Sequence, residues 1–187
     1  MKFNLLTVLL ACMIIGTASA QSVNIGIKGG LNIYTLSGDN DASNDYKPSF
    51  HIGLLGHIHM SKNFALQPEL VFSAQGTKYD DDKNYDLNYI NVPLLFQYMF
   101  DNGFRLQAGP QVGFLVSAEA DGTDVKDNLK GTDFGIGIGA SYINPASNFG
   151  FDVRYNHGLS NINENDNIDS YNRGFQLGVF YLFKHKS

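Results

Sequence analysis

The chain has 187 residues, with 13 Lys and Arg against 18 Asp and Glu and a formal net charge of −5. That acidic balance excludes a nucleic-acid surface. The single cysteine, Cys12, excludes a disulfide framework and a thiolate metal site.

The first segment reads as a processing signal. Lys2 opens the chain, Leu5 to Ile15 is apolar, and Ala18-Ser19-Ala20 is a small-x-small cleavage site. We expect a signal peptide over 1–20 and one mature domain over 21–187. The apolar run is shorter than the roughly 20 residues that a spanning helix needs. Leu9-Leu10-Ala11-Cys12 offers a rival reading, a lipoprotein box with Cys12 acylated. Met13-Ile14-Ile15 continues the apolar run past it, and the better cleavage site lies downstream.

From Val23 onward the pattern changes to strict alternation. Val23, Ile25, Ile27, Leu31 and Ile33 share one face; Asn24, Gly26, Lys28, Gly30 and Asn32 share the other. Side chains of a strand alternate faces with period two, so this is a strand with one apolar face. The pattern recurs, and it predicts eight strands over 22–34, 48–60, 64–78, 87–100, 104–117, 131–143, 149–160 and 173–184. Ser61-Lys62-Asn63, Asp101-Asn102-Gly103 and Asn144 to Asn148 are short turns. The longer polar connections 35–47, 79–86, 118–130 and 161–172 alternate with them.

The faces decide inside from outside. The apolar face carries Phe50, Ile52, Leu54, Leu70, Phe72, Phe96, Phe134, Ile138, Phe151, Phe175 and Val179. The opposite face carries His51, His57, His59, Gln67, Glu69, Gln97, Arg105, Gln107, Asp133, Asp152, Arg154 and Gln176, mixed with glycine. A soluble barrel would place an apolar face inward and a charged face outward. Glycine beside amides and a few charges instead fits a narrow eight-stranded lumen. A closed barrel pairs every backbone group, which is the condition for crossing lipid. The expected fold is all-β: an eight-stranded antiparallel up-and-down transmembrane barrel of the outer membrane, with periplasmic short turns and extracellular long loops. Tyr98, Tyr142, Tyr155 and Tyr181 sit where an interfacial aromatic girdle belongs. Pro68, Pro93 and Pro110 fall inside strands and are expected to mark bulges.

Six stretches carry a resemblance. They are G-I-K-G-G-L-N at 26–32, L-Q-P-E-L-V-F-S-A-Q-G at 66–76, Y-I-N-V-P-L-L-F-Q-Y at 89–98, L-Q-A-G-P-Q-V-G-F-L at 106–115, F-D-V-R-Y-N-H-G-L-S-N-I at 151–162 and G-F-Q-L-G-V-F-Y-L-F at 174–183. Together they resemble the PorT-like outer-membrane β-barrel family of Bacteroidota. The resemblance implies the eight-stranded barrel and accounts for prolines at strand positions. It also implies a link, for some members, to protein secretion and gliding.

Four chemical readings follow from the residues. The lumen charges Lys28, Glu69, Arg105, Asp133, Asp152 and Arg154, with the nearby histidines, read either as an ion path or as a paired network that plugs the barrel. Narrow barrels fill with side chains, which favours the plug. His57 and His59 alternate on one face, but zinc needs three or four ligands and nothing at fixed spacing supplies the rest, so no metal or cofactor is expected. His157 and Ser160, with Glu164 or Asp152, suggest an outer-membrane hydrolase; no motif fixes the three in register, and an enzyme is not expected. The four long loops hold 14 of the 18 acidic residues against Lys47, Lys83, Lys126 and Lys130. The expected role is therefore that of a monomeric structural or interaction protein in the outer-membrane bilayer, with acidic loops kept open by charge repulsion. Cell-envelope protein partners and weak Ca²⁺ or Mg²⁺ association at those loops fit this reading. A secretion-machinery component is the alternative.

Overall fold

The computed structural model describes residues 23–38, 44–79, 83–165 and 167–183. The expected signal peptide, Cys12 and the Lys184–Ser187 tail lie outside them. Eight long strands form: β1 (Val23–Gly38), β2 (Asn44–His59), β3 (Phe64–Tyr79), β4 (Lys83–Met99), β5 (Phe104–Ala120), β6 (Thr132–Ile143), β7 (Phe149–Gly158) and β8 (Ser170–Leu182). Each pairs antiparallel with the next, and β8 pairs back onto β1. The sheet therefore closes and leaves no long edge.

The register sets the width of the barrel. One path of paired residues runs Val23, Ile58, Leu66, Phe96, Ala108, Ile138, Tyr155, Phe175 and back to Ile33. One circuit thus returns to β1 ten residues further along, from 23 to 33. That stagger tilts the strands and, with eight of them, leaves an interior only wide enough for side chains.

Inside and outside are as the alternation implies. Leu31, Ile52, Phe134 and Phe151 are about 60% exposed, facing outward, while Lys28, Glu69 and Arg154 are buried within. An aromatic belt surrounds the rim with the short turns. Phe64 meets Tyr98 at 5.2 Å between ring centroids, Tyr98 meets Phe100 at 4.9 Å, and Phe100 meets Phe104 at 5.6 Å. Phe149, Tyr181 and Phe183 continue it. Rings of this kind settle at the interface between headgroups and hydrocarbon. At this rim Gly103, at φ +89°, adopts the left-handed conformation that the turn before β5 requires.

Two expectations about the strands need correction. The connections expected over 35–47 and 79–86 are largely ladder: β1 to β5 run 16 or 17 residues each. About 9 to 11 residues suffice to cross the hydrocarbon, so this wall stands above it, where strands need no apolar face. β6 to β8 are shorter, at 12, 10 and 13 residues. Pro68, Pro93 and Pro110 are not bulges. Pairing lapses at Pro68 and just beyond Pro93, but the register continues unchanged on either side. The shifts lie between Tyr46 and His51, around Pro48, and at Asn88/Tyr89. A strand N–H bonds to only one of its two neighbours, so each proline removes one ladder bond and no more.

Candidate functional site: the lumen and its two mouths

The centre of the lumen is a four-charge cluster drawn from β1, β3 and β7. Arg154 donates two parallel bonds to Glu69, at 2.9 and 2.8 Å. Lys28 Nζ lies 3.3 Å from Glu69 and 3.4 Å from Asp152, and Arg154 lies 3.7 Å from Asp152. Two cations thus neutralise two carboxylates. Gln67 adds a 2.7 Å bond to Glu69, and Gln97 links Gln67 to Gln107. The side chain of Glu69 is fully enclosed. A buried carboxylate persists only with this density of donors. Glycine makes the room: a Cβ on Gly178 would lie 2.7 Å from Asp152 Oδ1 and 3.1 Å from His51 Nε2.

Toward the long-loop end the network turns to amides. Asn32 donates to Ser73 at 3.0 Å, and its carbonyl oxygen accepts from Gln176 and contacts His51 Nδ1 at 2.9 Å. Asn156 donates to the Tyr34 hydroxyl at 2.7 Å. Asp133 accepts from Asn172 and from the Ser160 hydroxyl, both at 2.9 Å.

Apolar layers close both ends, which the alternation did not reveal. Toward the short turns, Leu55, Ile143, Phe180 and Leu182 pack together on the inner face. Toward the loops, Leu36, Leu87, Tyr89, Leu115 and Ala118 receive Leu129 and Ile162. The last two come from the connections expected to stand open. Lys130 N–H donates to Ile162 O at 2.8 Å, Glu164 N–H donates to Asn128 O at 3.0 Å, and Leu129 bridges Asn163. These two loops are knitted over the mouth. Hydrophobic burial of Leu129 and Ile162 outweighs the charge repulsion expected to hold them apart, which screening at an exposed surface weakens. The only signal in the sequence was a pair of large aliphatic residues inside each acidic stretch, Val125 and Leu129 in one and Ile162 and Ile168 in the other.

The remaining candidates do not assemble. The Ser160 hydroxyl engages Asp133, whereas His157 alternates to the outward face of β7 and stacks on Tyr155 at 6.2 Å. No hydrogen bond joins His157 to Ser160 among the described residues. His57 and His59 do meet, edge to face at 4.5 Å. No group of three potential ligands gathers there or elsewhere among the described residues. Asp39, Asp41, Asp80, Asp81, Asp82 and Asp166 lie outside those residues.

Comparison with known proteins agrees with the architecture. No curated protein sequence is significantly similar to the chain. Among solved structures, Neisserial surface protein A is similar with a TM-score of 0.58 at 14% identity, over 87% of this chain and 99% of that one. Ail, the attachment invasion locus protein of Yersinia pestis, is similar with a TM-score of 0.52 at 17% identity, over 86% and 98%. Ail has also been solved in complex with the heparin analogue sucrose octasulfate. Such identities carry the fold alone. The sequence model of a family described as outer membrane protein beta-barrel domain matches residues 19–164. An apolar belt around a closed barrel, a polar interior and that match lead to one conclusion: the chain is a barrel of the outer membrane and belongs to the outer membrane protein beta-barrel domain family.

Proposed function

We propose that the protein is a monomeric, non-conducting barrel that acts through its extracellular face as a structural or interaction protein, without enzymatic activity. The observation that carries this reading is the lumen, plugged by a neutral charge cluster between two apolar layers. An ion crossing it would have to part a buried bidentate pair and wet both apolar layers. Purified protein in planar bilayers is expected to give no stepwise currents; sustained single-channel openings would overturn the proposal.

The charge of the loops sets the sign of a partner. With 14 acidic residues against four lysines, the extracellular face favours a cationic protein surface. Weak Ca²⁺ or Mg²⁺ association with it belongs to the same reading. A sulfated sugar of the kind bound by Ail is disfavoured. Heparin resin at low salt is therefore expected to leave the folded protein in the flow-through, and salt-dependent retention would reverse the sign of the assigned partner.

The finer resemblance, to PorT-like barrels of Bacteroidota, supports a second reading as a component of a secretion machinery. It rests on the six matching stretches. Co-purification of specific periplasmic proteins with the detergent-extracted barrel is its expected result. Isolation of the barrel alone under mild extraction would count against it.

A further inference from the structure

The central cluster leaves one inward-facing cation unbalanced. Arg105, on β5 two residues beyond the Asp101–Gly103 turn, is 7% exposed. Its Nη1 has no hydrogen-bond partner within the protein. No carboxylate among the described residues pairs with it. Glu69 and Asp152 are engaged by Lys28 and Arg154, and Asp101, the acid closest in sequence, pairs with Lys62 on the surface. Asp133, the other inward acid, is held by Asn172 and Ser160 towards the opposite mouth. A buried guanidinium without an anion is costly, so its surroundings are informative.

Those surroundings are a cavity of about 280 Å³ at the short-turn mouth. Arg105 and His57, with Asn24 and Asn148, form its polar side, and neither ring nitrogen of the fully buried His57 has a hydrogen-bond partner. Ile143, Pro145, Leu182 and Phe183 form the apolar side. Pro145 belongs to the β6–β7 turn and Phe183 follows the end of β8, so the cavity lies at the periplasmic rim. Guanidinium and imidazole donors facing a short apolar wall match a particular chemistry. A carboxylate would take the donors, and a few methylene groups would cover Leu182 and Ile143. Inorganic phosphate would satisfy Arg105 but leave the apolar wall uncovered.

We propose that this cavity is a binding site for a short-chain monocarboxylate entering from the periplasm, with Arg105 gripping the carboxylate. The site is independent of the extracellular face and of any passage through the lumen.

The experiment is a titration of the refolded barrel in detergent micelles with butyrate, followed by NMR of the Arg105 side-chain N–H and the Leu182 methyls. Saturable shifts at both are expected, with the Leu129 and Ile162 methyls at the far mouth unmoved. Arg105→Gln is expected to weaken binding roughly tenfold or more, because a charge-assisted bond is lost. Arg105→Lys, which keeps the charge but not the fork, should fall between. A gel shift on boiling confirms that each variant is folded. Absence of saturation by butyrate in the wild-type protein overturns the proposal without reference to any variant. Equal affinity in a folded Arg105→Gln barrel also overturns it, as does phosphate binding more tightly than butyrate.

Discussion

Glu69→Ala is expected to cost about 3–5 kcal/mol of stability, the largest effect of any single substitution in the lumen. Glu69 receives both Arg154 donors, the Lys28 ammonium and the Gln67 amide. Its removal leaves two enclosed cations facing one carboxylate, Asp152. The penalty comes from that stranded charge, more than from the bonds lost. Replacing Glu69, Arg154, Lys28 and Asp152 together by apolar residues of similar volume should therefore be far milder than the single change. Urea unfolding in micelles, read on unheated gels, measures both. A single variant within about 1 kcal/mol of wild type would mean that water hydrates the cluster and that the lumen is open.

Ile138→Arg is expected to destabilise the barrel by about 2–4 kcal/mol in a bilayer, the cost of a cation near the midplane on the lipid face. Ile138 lies midway along β6, between Ala108 and Tyr155 in the register, and is 57% exposed. Tyr46 is similarly exposed, at 53%, but sits on the wall that rises beyond the hydrocarbon. Tyr46→Arg should change stability by no more than about 0.5 kcal/mol, as at an ordinary wet surface. The contrast between the two is the test, because each adds the same charge to an outward position. Equal effects at both sites would remove the evidence for a bilayer boundary between them.

Much of this was legible in the residues, and what was not has physical causes. Alternation along Val23 to Ile33 and along Phe134 to Tyr142 was enough to separate lipid from lumen, because a one-residue slip would bury every apolar side chain on the wrong face. The inward charges could be named from the same alternation. Their pairing could not, since it depends on registers between strands far apart in sequence. The upper ends of β1, β2, β4 and β5 were missed because a strand standing in water need not alternate apolar and polar. Phe180, Leu182, Leu55 and Leu36 broke the pattern by being apolar on the polar face. They are the inner seals. Leu129 and Ile162 looked like strays in acidic loops and proved to be a lid.

The central cluster also dictates an order of events. Lys28 and Glu69 are 41 residues apart, Glu69 and Arg154 are 85 apart, and Lys28 and Asp152 are 124 apart. The last partners arrive on β7, next to the strand that closes the barrel against β1. A chain that has formed only the β1–β2 hairpin holds Lys28 without Glu69 or Asp152, and it has two open edges. It cannot enter hydrocarbon by stages, one hairpin at a time, without carrying unneutralised charge and unpaired backbone into lipid. Insertion and closure must therefore be nearly simultaneous, with slow, all-or-none kinetics set by the most distant contacts. Until then the acidic, glycine-rich polypeptide must be kept soluble on the periplasmic side.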